Sequence, residues 1–227
     1  WNVQPNQNDE KLLVKLDWNI TDDHRFAFTY QTAEDEAANN VTRGAANQLN
    51  LSSHWYGRTQ EMDNFAAQLY SNWTPDFSTE LKVSVKDVKT GQDPYLGRNY
   101  GQAQIRFLAE ENDGIGNGTI YIGPDRSRHA NRLETTTTEI QAHAEYQLND
   151  HRITAGIEYT DIEVFNEFLQ DSLGTYLFTS LENFENQFAN TVDYQNAYTN
   201  DPLDAAAEFS YGTLAAYIQN SWDVTWD

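Results

Sequence analysis

The chain has 227 residues and a net charge of −21, with a mean hydropathy of −0.74, yet 13% of it is Phe, Trp or Tyr. A disordered acidic chain would be poor in aromatics, nucleic acid demands a basic footprint, and no run of about 18 apolar residues is present to make a transmembrane helix. A membrane strand remains open, because it needs only about 9–11 residues of alternating character.

The opening residues, Trp1-Asn2-Val3-Gln4, have neither the basic start nor the apolar run of a signal peptide. The segment is therefore expected to be internal or already processed. Residues 1–10 read as the end of a polar loop. From Lys11 to Gln31 the alternation predicts one β-hairpin. Leu12, Val14, Leu16, Trp18 and Ile20 share a face on the way in, and Phe26, Phe28 and Tyr30 share one on the way out. Thr21-Asp22-Asp23-His24 supplies the turn.

The unit recurs. Phe65, Ala67, Leu69, Ser71 and Trp73 lead into a turn at Pro75-Asp76, and Leu81, Val83 and Val85 lead out. Ile140, Ala142, Ala144, Tyr146 and Leu148 lead into a turn at Asn149-Asp150, with Ile153, Ala155, Ile157 and Tyr159 beyond it. Leu214, Ala216, Ile218 and Trp222 begin a fourth copy. The hairpins are expected over about 11–34, 62–90 and 132–165, with a last strand over about 208–224. Short strands are expected at Gln104–Leu108 and Thr119–Ile122, and a short helix capped by Ser180.

Short turns thus alternate with long connections, Asp35–Glu61, Gly91–Asn131 and Asn166–Ala207. Such loops are unusual inside compact domains but normal on the outer side of an outer-membrane barrel. An aromatic stands shortly before each short turn: Trp18, Trp73, Tyr146 and Trp222. These predict the periplasmic girdle, where Trp and Tyr favour the membrane–water interface. Lys15, Asp17, Gln68, Gln141, His143, Glu145 and Glu158 are expected to face the lumen. The fold class is all-β: a segment of about seven antiparallel strands from a transmembrane outer-membrane barrel with long extracellular loops. The alternative is a secreted or surface β-sandwich that binds glycan or protein through those loops; it explains the alternation, but not loops long on one side only.

Catalytic chemistry finds no foothold, since GxSxG, HExxH and P-loop motifs are all missing from the sequence. No enzyme is expected, and no metal or cofactor. His24 and His151 sit in matching Asp-His-Arg turns, which a turn role explains. Glu111–Gly118 has oxygen ligands and glycines without the twelve-residue calcium spacing. Ca²⁺ there, or at Glu34-Asp35-Glu36, is the minority alternative to a solvated loop. The candidate ligand-binding residues are loop aromatics: Trp55, Tyr56, Tyr95, Tyr100, Tyr176 and Phe178. Exposed aromatics offer contact area at low entropic cost.

KLDWNITDDHR, IYIGPDRSRHANRLETTTTEIQAHAEYQLNDHRITAGIEYTDIEVFNEF and DAAAEFSYGTLAAYIQNSWDVTW resemble the barrel of TonB-dependent outer-membrane receptors, and within them the Oar-like group. Tyr217-Ile218-Gln219-Asn220-Ser221-Trp222 is similar to the YxQDxW strand of such barrels, with Asn220 where Asp is usual. The resemblance implies a barrel of about 22 strands, a plug domain and a TonB-contacting segment. Residues 1–227 would then be a partial barrel, with plug and remaining strands supplied by chain outside it. Implied partners are outer-membrane lipid, the plug, the remaining strands and the TonB complex. The implied location is the cell outer membrane, and the implied activity is transport of an unidentified substrate, inward or outward.

Overall fold

The computed structural model describes residues 7–40, 47–111 and 116–224. In chain order, β1 (Gln7–Asn19) and β2 (His24–Asn39) form the first hairpin, followed by a short β3 (Gln48–Asn50). β4 (Tyr56–Thr74) and β5 (Phe77–Pro94) form the second, followed by β6 (Gln102–Phe107) and β7 (Gly118–Ile122). β8 (Ala130–Leu148) and β9 (His151–Leu169) form the third. β10 (Thr175–Phe178), the helix α1 (Leu181–Glu185) and β11 (Thr191–Asp193) then precede β12 (Ala207–Trp222).

The long strands make one antiparallel meander, ordered β1-β2-β4-β5-β8-β9-β12. Its turns are locally specified. Thr21 Oγ1 accepts the Asp23 and His24 amides at 3.2 and 3.1 Å, and Thr74 Oγ1 accepts the Asp76 amide at 3.3 Å. Asn149 takes a φ of 50°, a left-handed conformation that Asn tolerates.

Register fixes the faces. Leu16, Phe28, Ala67, Val83, Ile140, Tyr159 and Leu214 stand in one cross-strand row, and Trp18, Phe26, Leu69, Leu81, Ala142, Ile157 and Ala216 in the row beside it. Between them, on the opposite face, lie Asp17, Ala27, Gln68, Lys82, Gln141, Glu158 and Ala215. The apolar face is open: Leu16 is 61% exposed, Leu214 69% and Ile218 78%. A sandwich would bury that face against a second sheet. An outer-membrane barrel turns it to lipid.

The strands are longer than the alternation predicts, because the faces exchange character part-way up. Above the row of Val14, Tyr30, Phe65 and Val85, the outward positions become Asp63, Asp87 and Glu163, then Glu10, Glu34, Glu61, Glu134 and Glu208. On the inward face Met62, Val88, Val164 and Phe209 stand in one row. Two tyrosines mark the change. Tyr30 donates to Asp63 at 2.8 Å and Tyr159 to Asp161 at 3.2 Å, each acid lying one step further from the short turns. A strand of 19 residues at ~3.3 Å per residue runs ~60 Å, about twice what a bilayer needs. The upper half therefore stands clear of the lipid.

The long connections build a second sheet of their own, ordered β11-β10-β6-β7-β3. β6 pairs antiparallel with β7 and parallel with β10; β3 joins β7 in parallel. Most of the buried interior lies here, including Ile105, Tyr121, Phe178, His54, His129 and Asp125. Two connections meet at Gly101, where a Cβ would collide with the carbonyls of Leu173 and Gly174. The expected short strands and the Ser180-capped helix are present, Ser180 Oγ accepting the Asn183 amide at 3.1 Å.

Candidate functional site

The loop sheet rests on a buried polar scaffold. The Asp125 carboxylate accepts from Arg128 Nη1 at 2.8 Å and from the Ser127 amide at 3.0 Å, and His54 Nε2 faces it at 3.7 Å. His54 Nδ1 donates to the Gly123 carbonyl at 3.0 Å, and Ser53 Oγ accepts the Gly123 amide at 3.0 Å. Burial works to raise the Asp125 carboxyl. Arg128, the Ser127 amide and the His54 ring outweigh it and hold the group below the ordinary carboxylate value.

Beside it, His129 Nε2 donates to the Pro124 carbonyl at 3.2 Å, while Nδ1 accepts the Leu173 amide at 3.2 Å. Burial pushes this imidazole below its ordinary value, against the Pro124 hydrogen bond and the Asp171 and Asp125 carboxylates. Asp171 receives Arg126 and, at 2.6 Å, the Thr175 hydroxyl. These bonds tie the connection after β5 to the one after β9.

The six candidate aromatics take three different places. Tyr56 is clamped by Arg128, whose Nη2 donates to its hydroxyl at 2.8 Å and whose guanidinium lies 4.1 Å from its ring centroid. Trp55 is half-buried, and its carbonyl accepts the Tyr95 amide at 3.1 Å. Tyr95 and Tyr100 are exposed. Burial and the Glu36 carboxylate raise the Tyr95 phenol.

Tyr176 and Phe178 come together on one face of β10. With Phe184, Phe188 and Val192 they line an open apolar groove of about 790 Å³. Phe178 is buried and meets Phe184 edge-on, with centroids 5.2 Å apart. Phe184, Phe188 and Val192 were not singled out from the sequence. Helix periodicity does not join the two Phe: α1 ends at Glu185, Gln187 takes a φ of 57°, and the Phe188 amide turns back to donate to the Asn183 carbonyl at 2.8 Å.

At the other end, all four girdle aromatics lie exposed on the outward face. The residue facing each was not foreseen. Trp73 meets His24 edge-on at 5.1 Å and donates its Nε1 to Thr79 at 2.8 Å, and Trp222 stacks on His151 at 5.3 Å. The two Asp-His-Arg turns thus do the same job, each offering an imidazole to the Trp that ends the neighbouring strand. Asn220 lies beside His151, its amide group 3.0 Å from Nδ1. By register, Trp18 stands furthest up the ladder and Trp222 furthest down, with Tyr146 between. Strands tilted in a barrel put constant height on such a diagonal.

Glu34, Asp35 and Glu36 do not converge. They alternate across the sheet, and Asp35 pairs with Arg58 at 3.6 Å. Residues 112–115 of the Glu111–Gly118 segment lie outside the described residues. Among the described residues no group of three or more His, Cys, Asp or Glu is arranged to hold a metal ion.

A search of curated proteins and a search of solved structures each returned no match. The family model described as "Outer membrane beta barrel domain" matches residues 1–226. Exposed apolar rows, interfacial aromatics at the short turns and loops built up on one side are what that match requires of the fold. The chain belongs to the outer membrane beta barrel domain family, and its place is the outer membrane.

Proposed function

We propose that the chain forms a section of the barrel of a TonB-dependent outer-membrane transporter of the Oar-like type, whose long connections receive a ligand outside the cell. The observation that carries this reading is the loop sheet. It is an ordered platform with an aromatic groove, held above the bilayer by strands that continue past the lipid. Such a platform offers a ligand an ordered surface outside the cell.

In this reading the polar inward face, with Lys82, Gln141 and His143, lines the lumen around a plug. His143 lies 3.2 Å from Glu80 and Ser84 donates to Glu139 at 3.3 Å, so this wall offers donors and acceptors to a polar neighbour. The edge strands β1 and β12 each pair on one side alone among the described residues. Unpaired backbone in lipid costs several kcal/mol per group, and in this reading further strands of the same barrel cover both edges. Force relayed by the TonB complex would move the plug and open a path.

A photo-crosslinking amino acid placed at Lys82 tests the reading in whole cells. The expected product is an internal crosslink to a plug peptide of the same polypeptide, in a species several times larger than 26.0 kDa. The same amino acid at Leu81 should capture lipid. A Lys82 variant that captures only lipid, or a detergent-extracted protein of this chain's own mass, overturns it.

A further inference from the structure

After Arg152 the sequence carries no Lys or Arg. The connection between β9 and β12 holds Asp171, Glu182, Glu185, Asp193, Asp201 and Asp204. Among these, Asp171 is matched by Arg126, and Asp201 is occupied in capping the Leu203 amide at 3.0 Å. The apolar groove opens in these acidic surroundings, with Glu185 in its wall.

The groove lies on one face of a sheet that stops beside it. Tyr176 and Phe178 alternate with Leu177, and register sets Val192 opposite Tyr176, so all three apolar side chains share that face. Thr191 and Asp193 therefore point to the other face. β11 is the last strand in its sheet, all three of its residues are exposed, and among the described residues it pairs only with β10. Phe188, 63% exposed, overhangs the groove from beyond α1.

We propose that this edge takes an extended peptide in which apolar and basic residues alternate. Its main chain lies alongside β11, as in strand addition to an open edge. Its apolar side chains enter the groove between Tyr176, Phe184, Phe188 and Val192. Its basic side chains fall on the other face, towards Asp193, while a flanking one reaches Glu185. Charge complementarity selects the peptide's sign, and the period-2 side-chain pattern selects its sequence. This inference rests on the ligand-capture reading above and names the ligand class for it.

The test uses the full-length protein in intact cells and two fluorescent pentapeptides, acetyl-Lys-Phe-Lys-Val-Lys-amide and acetyl-Glu-Phe-Glu-Val-Glu-amide. Binding is read with the inner-membrane proton gradient collapsed, and uptake into the periplasm with it intact. The expected result is binding of the basic peptide alone, weakened about tenfold or more by Phe188→Ala and by Glu185→Lys, as for residues central to an interface. Both sites are on the surface, so folding is not at stake. Equal binding of the acidic peptide, or affinity unchanged in both variants, overturns the groove as a basic-peptide site. Binding as expected without gradient-dependent uptake keeps the groove and overturns the transporter reading instead.

Discussion

Single side chains on the two faces of the long strands have opposite obligations. Ala142 lies in an apolar outward row and Gln141 in the polar inward row. Ala142→Arg is expected to cost ~2–4 kcal/mol near mid-bilayer, and Gln141→Arg close to nothing. The check is the denaturant midpoint of the complete barrel refolded in lipid vesicles. In the loop sheet, Asp125→Ala leaves Arg128 and His54 without their carboxylate. Breaking such a buried pair costs ~3–5 kcal/mol, here towards the lower end because Arg128 keeps some contact with water. The expected readout is fast amide exchange in β6 and β7 with the barrel strands still protected. His129 adds a pH dependence. Its folded-state value lies below the ordinary 6.5, so the unfolded loop binds the proton more readily. Stability from this group is whole above about 6.5 and falls away as pH drops below it. Protection factors of the loop-sheet amides, which divide out the intrinsic base-catalysed pH dependence of exchange, should therefore be lower at pH 5.5 than at 7.5, and protection that stays flat or rises on acidification would contradict the buried neutral imidazole.

Elements differ in how far they can be read from sequence. The three hairpins were legible because each is local, apolar on one side and closed by residues suited to tight turns. Their upper ends were not. Past Tyr30, Phe65 and Tyr159 the two faces trade roles, so the apolar period weakens although backbone pairing continues. Strands anticipated over 62–90 run from Tyr56 to Pro94. The loop sheet was legible only in pieces. β6 and β7 carry their own alternation, but β10 joins β6 in parallel from far along the chain, and nothing local announces that pairing. Its interior is also unusual, held by Asp125, Arg128, His129 and Asp171 rather than by an apolar pattern. Tyr56 and Phe178 show the limit for the candidate site: aromatic character marked both, but only the fold shows that one is clamped by an arginine and the other is core. At the short turns, His24→Ala should remove one edge-on ring contact and cost ~0.5–1.5 kcal/mol. A matching loss in His151→Ala would confirm that the two turns are equivalent, by the same refolding assay.

On the scale of the whole molecule, the outward face is divided into an apolar lower band and an acidic upper collar. Above the band the outward positions carry many carboxylates, with Lys89 and Arg132 among them. Anionic head groups would be repelled there unless divalent cations intervene. The collar therefore limits how far the barrel can sink, as the aromatic girdle does at the opposite rim. Level with the apolar band the inward face carries both signs, Lys15, Asp17, Lys82, Glu139 and Glu158 among them, so no single-sign field builds up there.

One property of the long strands reaches further. They pass unbroken from lipid to loop sheet, without a joint at the water line. About nine residues above the band make an arm of ~30 Å. By plain geometry on that arm, leaning the wall by about 5° would carry its tip roughly 2–3 Å, enough to separate two packed layers of side chains. The loop sheet is pinned to several such arms at once, so a small shear among neighbouring strands at the membrane becomes a displacement between β6, β7 and β10. The wall is then a lever as well as a container: a tilt of its strands at the membrane is enlarged at the outer surface, and whatever stiffens the loop sheet stiffens the wall beneath it.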